Sequence, residues 1–363
     1  MAMMLIAYKG RLRRGKKMKN RWLYFSLVIV VGMFLFAGCG KGENKNEQIA
    51  QTTEANHKAE KKEGLKVIAT IFAPYDFARQ IAGEYGTVSM LEPPASESHS
   101  FEPTPQDIIN IQNCDVFIYI GGESESWVQD LLQDIDTSKV TVISCMDFVS
   151  LYEEELVEGM EEETETGNEW DTIKGEKEEE TEEEQEYDEH IWTSPKNAIK
   201  IVEGLQKVFA QTDKKHAKEY EANGASYIKK LEKLDAEFRE TVKNGKLDTI
   251  VFGDRFPLRY FVEEYGLKYY AAFPGCSEQT EPSASTTAFL IDTVREKKIP
   301  VVFYLELSNE KIADTICEST GAKKMLFHSC HNITKDDFQA GVTYLDLMQN
   351  NVEALKEALE VKQ

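Results

Sequence analysis

From Leu65 onward, short β-branched and aromatic runs alternate with stretches whose apolar positions recur every three to four residues. "KVIATI" reads as a strand that ends shortly before Pro74, and "PYDFARQIAG" as the helix that follows it. "TVSML" is a second strand. Pro105 opens the helical "QDIINIQNC", "DVFIYIGG" is a buried strand, "ESWVQDLLQDI" an amphipathic helix, and "VTVISC" a fourth strand. Regular alternation of this kind predicts a parallel sheet with right-handed crossovers.

The pattern resumes at "YDEHIWTSPKNAIKIVEGLQKVFAQTD", with Pro195 at a helix start. "KKHAKEYEANGASYIKKLEKLDAEFRETVKNG" then runs without proline and reads as one long helix closed by Gly245, with Gly224 a mild interruption. A second alternating set follows. Its strands are "DTIVFGD", "LKYYAAFP", "PVVFYLEL" and "KMLFHSC"; its helices include "PLRYFVEEYG", "STTAFLIDTVREKK", "EKIADTICESTG" and "YLDLMQNNVEALKEAL". The expected fold is α/β, with two lobes joined by one long helix, each lobe a four-stranded, mostly parallel sheet with flanking helices. The boundaries expected are 64–212 for the N-terminal lobe, 213–245 for the linking helix and 246–363 for the C-terminal lobe. Ligands of open parallel sheets collect at the carboxyl ends of the strands, so residues there from both lobes should share a cleft.

Composition changes this picture in three places. Residues 1–39 carry a basic segment, then "WLYFSLVIVVGMFLFAGC", as in a signal peptide with an apolar core of about fifteen residues. "MKNRW" offers Met18 as an alternative start. Phe36-Ala37-Gly38-Cys39 resembles a bacterial lipobox, which makes Cys39 the expected lipidated residue, residues 40–63 a flexible tether, and the rest extracytoplasmic; a single-pass anchor is the alternative. The net charge of −22 argues against a nucleic-acid surface. That charge is concentrated: residues 153–189 hold twenty acidic residues against Lys174 and Lys177. The insertion, at about 153–187, reads as a disordered surface loop, and weak collection of cations by its carboxylates is the alternative. Cys39 aside, five cysteines remain and no C-x-x-C occurs, which argues against a thiolate zinc cluster.

Residues at or beyond strand ends are the candidates for chemistry. They are His99, His190, Asp254, Cys276, Glu278, Glu281, Glu306, His328, Cys330 and His331, and they include four of the six histidines. Imidazoles gathered from separate segments suit zinc, and a larger share of carboxylate oxygens shifts the preference toward manganese. Taken singly, each has a plain structural reading. Asp254 could cap a helix or pair with Arg255 or Arg259. Glu102 could start the helix after "PTP", and Glu281 could cap the next helix. Cys276 and Cys330 could form a disulfide or remain buried thiols.

The motifs "HSFEPTPQDI", "EHIWTSPKNA", "EPSAS" and "TYLDLMQNNVEAL" resemble the metal-binding lipoproteins of zinc and manganese ABC importers, the cluster A-I solute-binding proteins, from about Leu65 to the C-terminus. The resemblance implies one metal held between two lobes. The family's first two ligands fall on His99 and His190. Its usual third histidine is missing, because this chain reads Gly253-Asp254-Arg255-Phe256; Asp254 is the nearest candidate. The fourth position, commonly acidic, falls on His328. Glu102, Glu281, His331, Cys276 and Cys330 are supporting or alternative ligands.

The function expected is therefore capture of Zn²⁺, or alternatively Mn²⁺, by a monomeric, lipid-anchored receptor that delivers it to an ABC permease with its ATPase. No catalysis and no nucleic-acid partner is expected. Two rivals stand beside this reading. A metal-dependent hydrolase would need its own signature, and neither H-E-x-x-H nor G-x-S-x-G occurs. A surface adhesin with a structural metal has no sequence feature of its own.

Overall fold

A computed structural model describes residues 64–96, 101–160, 187–277 and 281–362. The signal segment, the tether, His99, Glu278 and most of the acidic insertion lie outside the described residues.

The N-terminal half runs β1 (Leu65–Ala69), α1 (Phe72–Ala82), β2 (Gly86–Met90), α2 (Pro105–Gln112), β3 (Val116–Tyr119), α3 (Trp127–Asp134) and β4 (Thr141–Ser144). Its four strands are parallel, in the order β2-β1-β3-β4. Two helices follow, α4 (Pro195–Thr212) and α5 (Ala217–Asn244). The C-terminal half runs β5 (Thr249–Phe252), β6 (Arg255–Phe256), α6 (Arg259–Tyr265), β7 (Lys268–Tyr270), β8 (Phe273–Pro274), α7 (Ala284–Lys297), β9 (Val301–Tyr304), α8 (Lys311–Thr320), β10 (Lys323–Leu326), α9 (Lys335–Ala340) and α10 (Tyr344–Ala358). Its main sheet is also parallel, in the order β10-β9-β5-β7, with β6 and β8 paired separately. The central strands β1, β3, β5 and β9 are short and largely buried, as expected of parallel sheets covered on both faces, while the edge strands β2 and β10 are half-buried to exposed.

The strand order reverses beside β1 in the first sheet and beside β5 in the second. Loops leaving neighbouring strands diverge there and leave a crevice. Thr70 and Ile120 follow β1 and β3; Gly253 and Leu305 follow β5 and β9.

The long helix is continuous through Gly224. A Cβ at Gly224 would stand 2.1 Å from Gln206 Oε1 and 2.9 Å from Gln206 Cβ, so the missing side chain lets α5 lie close against α4. α5 also packs on α1 and α10. Its Tyr220, Tyr227, Leu231, Leu234 and Phe238 belong to one apolar cluster that includes β1 residues and α10 residues alike.

Polar contacts reinforce this join. Buried Asp76 of α1 accepts a hydrogen bond from the Tyr344 N–H of α10 at 2.9 Å. The Tyr344 hydroxyl donates to Trp192 O at 2.8 Å, and Trp192 Nε1 donates to Ser329 O at 2.8 Å. The five described cysteines, Cys276 and Cys330 among them, are all free.

Candidate metal centre

β10 ends at Leu326, and the chain turns sharply through His328-Ser329-Cys330-His331. Cys330 has φ +61°, in the left-handed region that a non-glycine residue enters only when its surroundings hold it. Here the hold is visible. The Cys330 N–H donates to His328 Nδ1 at 2.9 Å. Glu306, just beyond β9, accepts from Ser329 N at 2.8 Å, Ser329 Oγ at 2.6 Å and His331 N at 3.3 Å. Glu306 Oε1 is also 3.3 Å from His328 Nδ1, a contact that only a protonated nitrogen could use. The shorter Cys330 contact assigns that nitrogen as an acceptor. Asn351 of α10 then clamps the His328 backbone, accepting from its N–H and donating to its carbonyl, both at 2.7 Å. Both groups of His328 are thus engaged in building the turn.

The turn delivers His331 to the other lobe. Its carbonyl accepts from Phe72 N at 3.0 Å. Its ring meets the His190 ring edge-on, with centroids 5.5 Å apart, and the Trp192 ring at 5.1 Å. His190 is fully buried in the loop before α4, whose N-cap Ser194 accepts from Asn197 N. The Asp188 carboxylate accepts from His190 N at 2.8 Å and lies 3.3 Å from His190 Nδ1. A proton held on Nδ1 by this contact leaves Nε2 as the donor for an ion. Burial works against the imidazolium, but Asp188, Glu189 and Glu154 outweigh it and raise the His190 pKa.

His190, His331, Asp254, Arg255, Glu306 and Ser308 share one cavity of about 100 Å³. Pockets for organic ligands usually measure about 300–1,000 Å³, so this one suits a small ion. A larger groove of about 1,050 Å³ runs along β10 and α10. Its lining charges are largely paired with one another or with neighbours, as in Lys356–Glu353 and Lys324–Glu310, and it holds no comparable convergence of donors.

Asp254 lines the cavity, but its oxygens accept from Arg255 N at 2.9 Å and Leu305 N at 3.1 Å, which ties β5 to β9. Burial raises its pKa. Glu102 is exposed, and Thr104 caps α2 in a capping box with Asp107. Glu281 is exposed and 3.8 Å from Lys311, while Ser283 caps α7. Cys330 is buried in the apolar core. One donor atom each from Glu189, His190 and Cys276 falls within 4.8 Å of the others. Burial, with Glu189, Glu154 and Asp188 nearby, pushes the Cys276 thiol pKa up.

Sequence reasoning missed the carboxylates behind the site. Glu92, Glu125 and Glu189 line a small void with Trp192 and His331. Glu125 accepts from Ile120 N at 2.6 Å and Gly121 N at 2.8 Å, yet burial still pushes its carboxyl up to about 7. Only their positions just beyond strands or within the "YDEH" stretch could have marked them.

Known proteins share this arrangement of elements. The high-affinity zinc uptake system protein ZnuA of Bacillus subtilis is 31% identical over 335 residues, 92% of this chain and 97% of that protein. The zinc-binding lipoprotein AdcA of Streptococcus pneumoniae is 31% identical over 297 residues, 82% of this chain but 56% of that protein, so this chain spans about half of that relative's length. The crystal structure of the Zn(II)-bound ZnuA-like domain of the S. pneumoniae AdcA superposes with a TM-score of 0.65 at 29% identity, over 82% of this chain and 99% of that one. Residues 67–358 match the family described as ZnuA, zinc-uptake complex component A, periplasmic, and the chain belongs to that family.

Proposed function

We propose that this protein is an extracytoplasmic receptor that captures Zn²⁺ between its lobes and passes it to an ABC permease driven by its ATPase. The observation that carries this reading is the meeting of His190 and His331 from opposite halves of the chain in a cavity of ionic size. The mechanism is coordination, with no bond made or broken in a substrate. Buried carboxylates around the imidazoles add negative potential, which a divalent cation offsets and a neutral solute would not.

His99 is the proposed third imidazole. Ser96, whose carbonyl accepts from Asn332 Nδ2 at 3.0 Å, stands at the cavity rim beside His331. Three further residues reach at most about 11 Å. His331 replaces His328 as the proposed C-terminal ligand, because His328 is occupied in shaping the turn, and Asp254 is proposed as a support of the cavity wall. Cys39 is the proposed lipid attachment point, and the working form is a monomer.

Competitive titration with zinc and manganese tests the reading. Wild type is expected to bind one zinc ion saturably and to prefer it to manganese. His99→Ala and His331→Ala are each expected to lose most of that affinity, and His328→Ala to lose stability first. Tighter binding of manganese would reassign the cargo to the alternative metal. Absence of saturable binding of either ion would end the receptor reading.

A further inference from the structure

Resting on that reading, we infer that Cys276 supplies a thiolate ligand to the captured ion and thereby sets its preference for zinc over manganese. The site needs a donor from the C-terminal half beyond His331. Asp254, at the exit of β5, already gives its oxygens to two backbone N–H groups. The exit of β8 offers another route. Gly275 lies against His190: a Cβ there would stand 3.2 Å from both Cε1 and Nδ1 of the ring. Cys276 follows at once, and its N–H donates to Glu154 Oε1 at 3.1 Å, which fixes the loop at this point.

Glu189, His190 and Cys276 stand close enough to share one ion. Ligand distances of about 2.0–2.3 Å around tetrahedral zinc place neighbouring donor atoms roughly 3.3–3.8 Å apart. The donors of Glu189, His190 and Cys276 are all within 4.8 Å of each other before any ion draws them in. Glu189 is buried and linked to Ser124, so it keeps a carboxylate beside the pair. Cys276 is partly accessible, as a ligand that must meet incoming metal requires.

On coordination the S–H proton leaves to solvent and a Zn–S bond forms, so charge and atoms balance without a redox partner. Sulfur is a soft ligand and suits zinc; manganese favours oxygen.

Cobalt(II) bound to the full chain is the test, because thiolate-to-cobalt charge transfer gives an intense near-ultraviolet band. Wild type is expected to show the band, and Cys276→Ser to bind cobalt without it. The zinc-to-manganese affinity ratio of the variant should fall by at least about tenfold. Alkylation with iodoacetamide, read by peptide mass, gives a second measurement: zinc should slow modification of Cys276 in wild type at least about tenfold. Cobalt bound with no such band, a band that survives in Cys276→Ser, or alkylation unaffected by zinc would each overturn the thiolate ligand while leaving the receptor intact. Wild type that takes up neither cobalt nor zinc would overturn the receptor reading and this inference with it.

Discussion

Asp188 shows how one residue governs another at this site. Its carboxylate holds both the backbone and the Nδ1 side of His190, so the ring is aimed before any ion arrives. Outer partners of this kind typically contribute 10–100-fold to metal affinity. Asp188→Asn should therefore weaken zinc binding by about 10–100-fold in competitive titration with the fold unchanged by circular dichroism. Glu125 makes a separate prediction. Burial is the main cause of its raised pKa, about 7 against 4.5, so the folded state binds its proton more tightly than the unfolded chain does. Its contribution to stability is full below pH 4.5 and is lost as pH rises to about 7. The metal-free protein should lose roughly 3 kcal/mol across that window from this group, and Glu125→Gln should flatten the slope in urea titrations at several pH values. Neither role was legible in the sequence, where Asp188 and Glu125 are two acids among many. The choice between His328 and His331 was equally hidden. They sit three positions apart after the same strand, and the left-handed Cys330 decides which ring enters the cleft.

At the scale of elements, α10 holds the turn after β10 through a single side chain. Asn351 is buried and satisfies both backbone groups of His328. Asn351→Ala would leave a buried N–H and C=O without partners, a loss of about 2–4 kcal/mol by chemical denaturation. Zinc affinity should fall as well, because the turn that presents His331 loosens. The elements themselves were largely readable. Period-2 and period-3.6 patterns, prolines at helix starts and Thr104, Ser194, Ser283, Thr334 and Thr343 as N-caps act within a few residues, so local sequence carries them. Short pairs such as β6 with β8 were not readable. Their two residues each are extended because the neighbouring loop lies alongside, which no local pattern encodes.

Across the molecule, one apolar cluster and the Asp76–Tyr344–Trp192–Ser329 chain of contacts bind the two sheets together. Wide opening of the cleft would break this core. Small-angle scattering of metal-free and zinc-loaded protein should therefore differ by less than about 1 Å in radius of gyration; a change of several ångströms would show hinge opening instead. The acidic insertion bears on the same scale. Glu153 and Tyr187 form an antiparallel bridge, and Val157 and Met160 beyond it still pack on the core. Replacing residues 161–186 with a short Gly-Ser link should change stability by less than about 1 kcal/mol, since loop closure depends only weakly on length. Zinc affinity at equilibrium should stay within about twofold of wild type by competitive titration. A larger loss would assign the insertion a part in holding metal.

The sequence by itself determined the two α/β halves, the long helix and the set of strand ends from which a site could be built. Periodicity, caps and glycine positions act over a few residues and survive without any knowledge of neighbours. Which strand-end groups would meet was decided only by tertiary packing. His190 and His331 are brought together by strand order and by a strained turn. Asp254 and His328, equally eligible by position, accept hydrogen bonds from backbone N–H groups that only the folded chain brings near them.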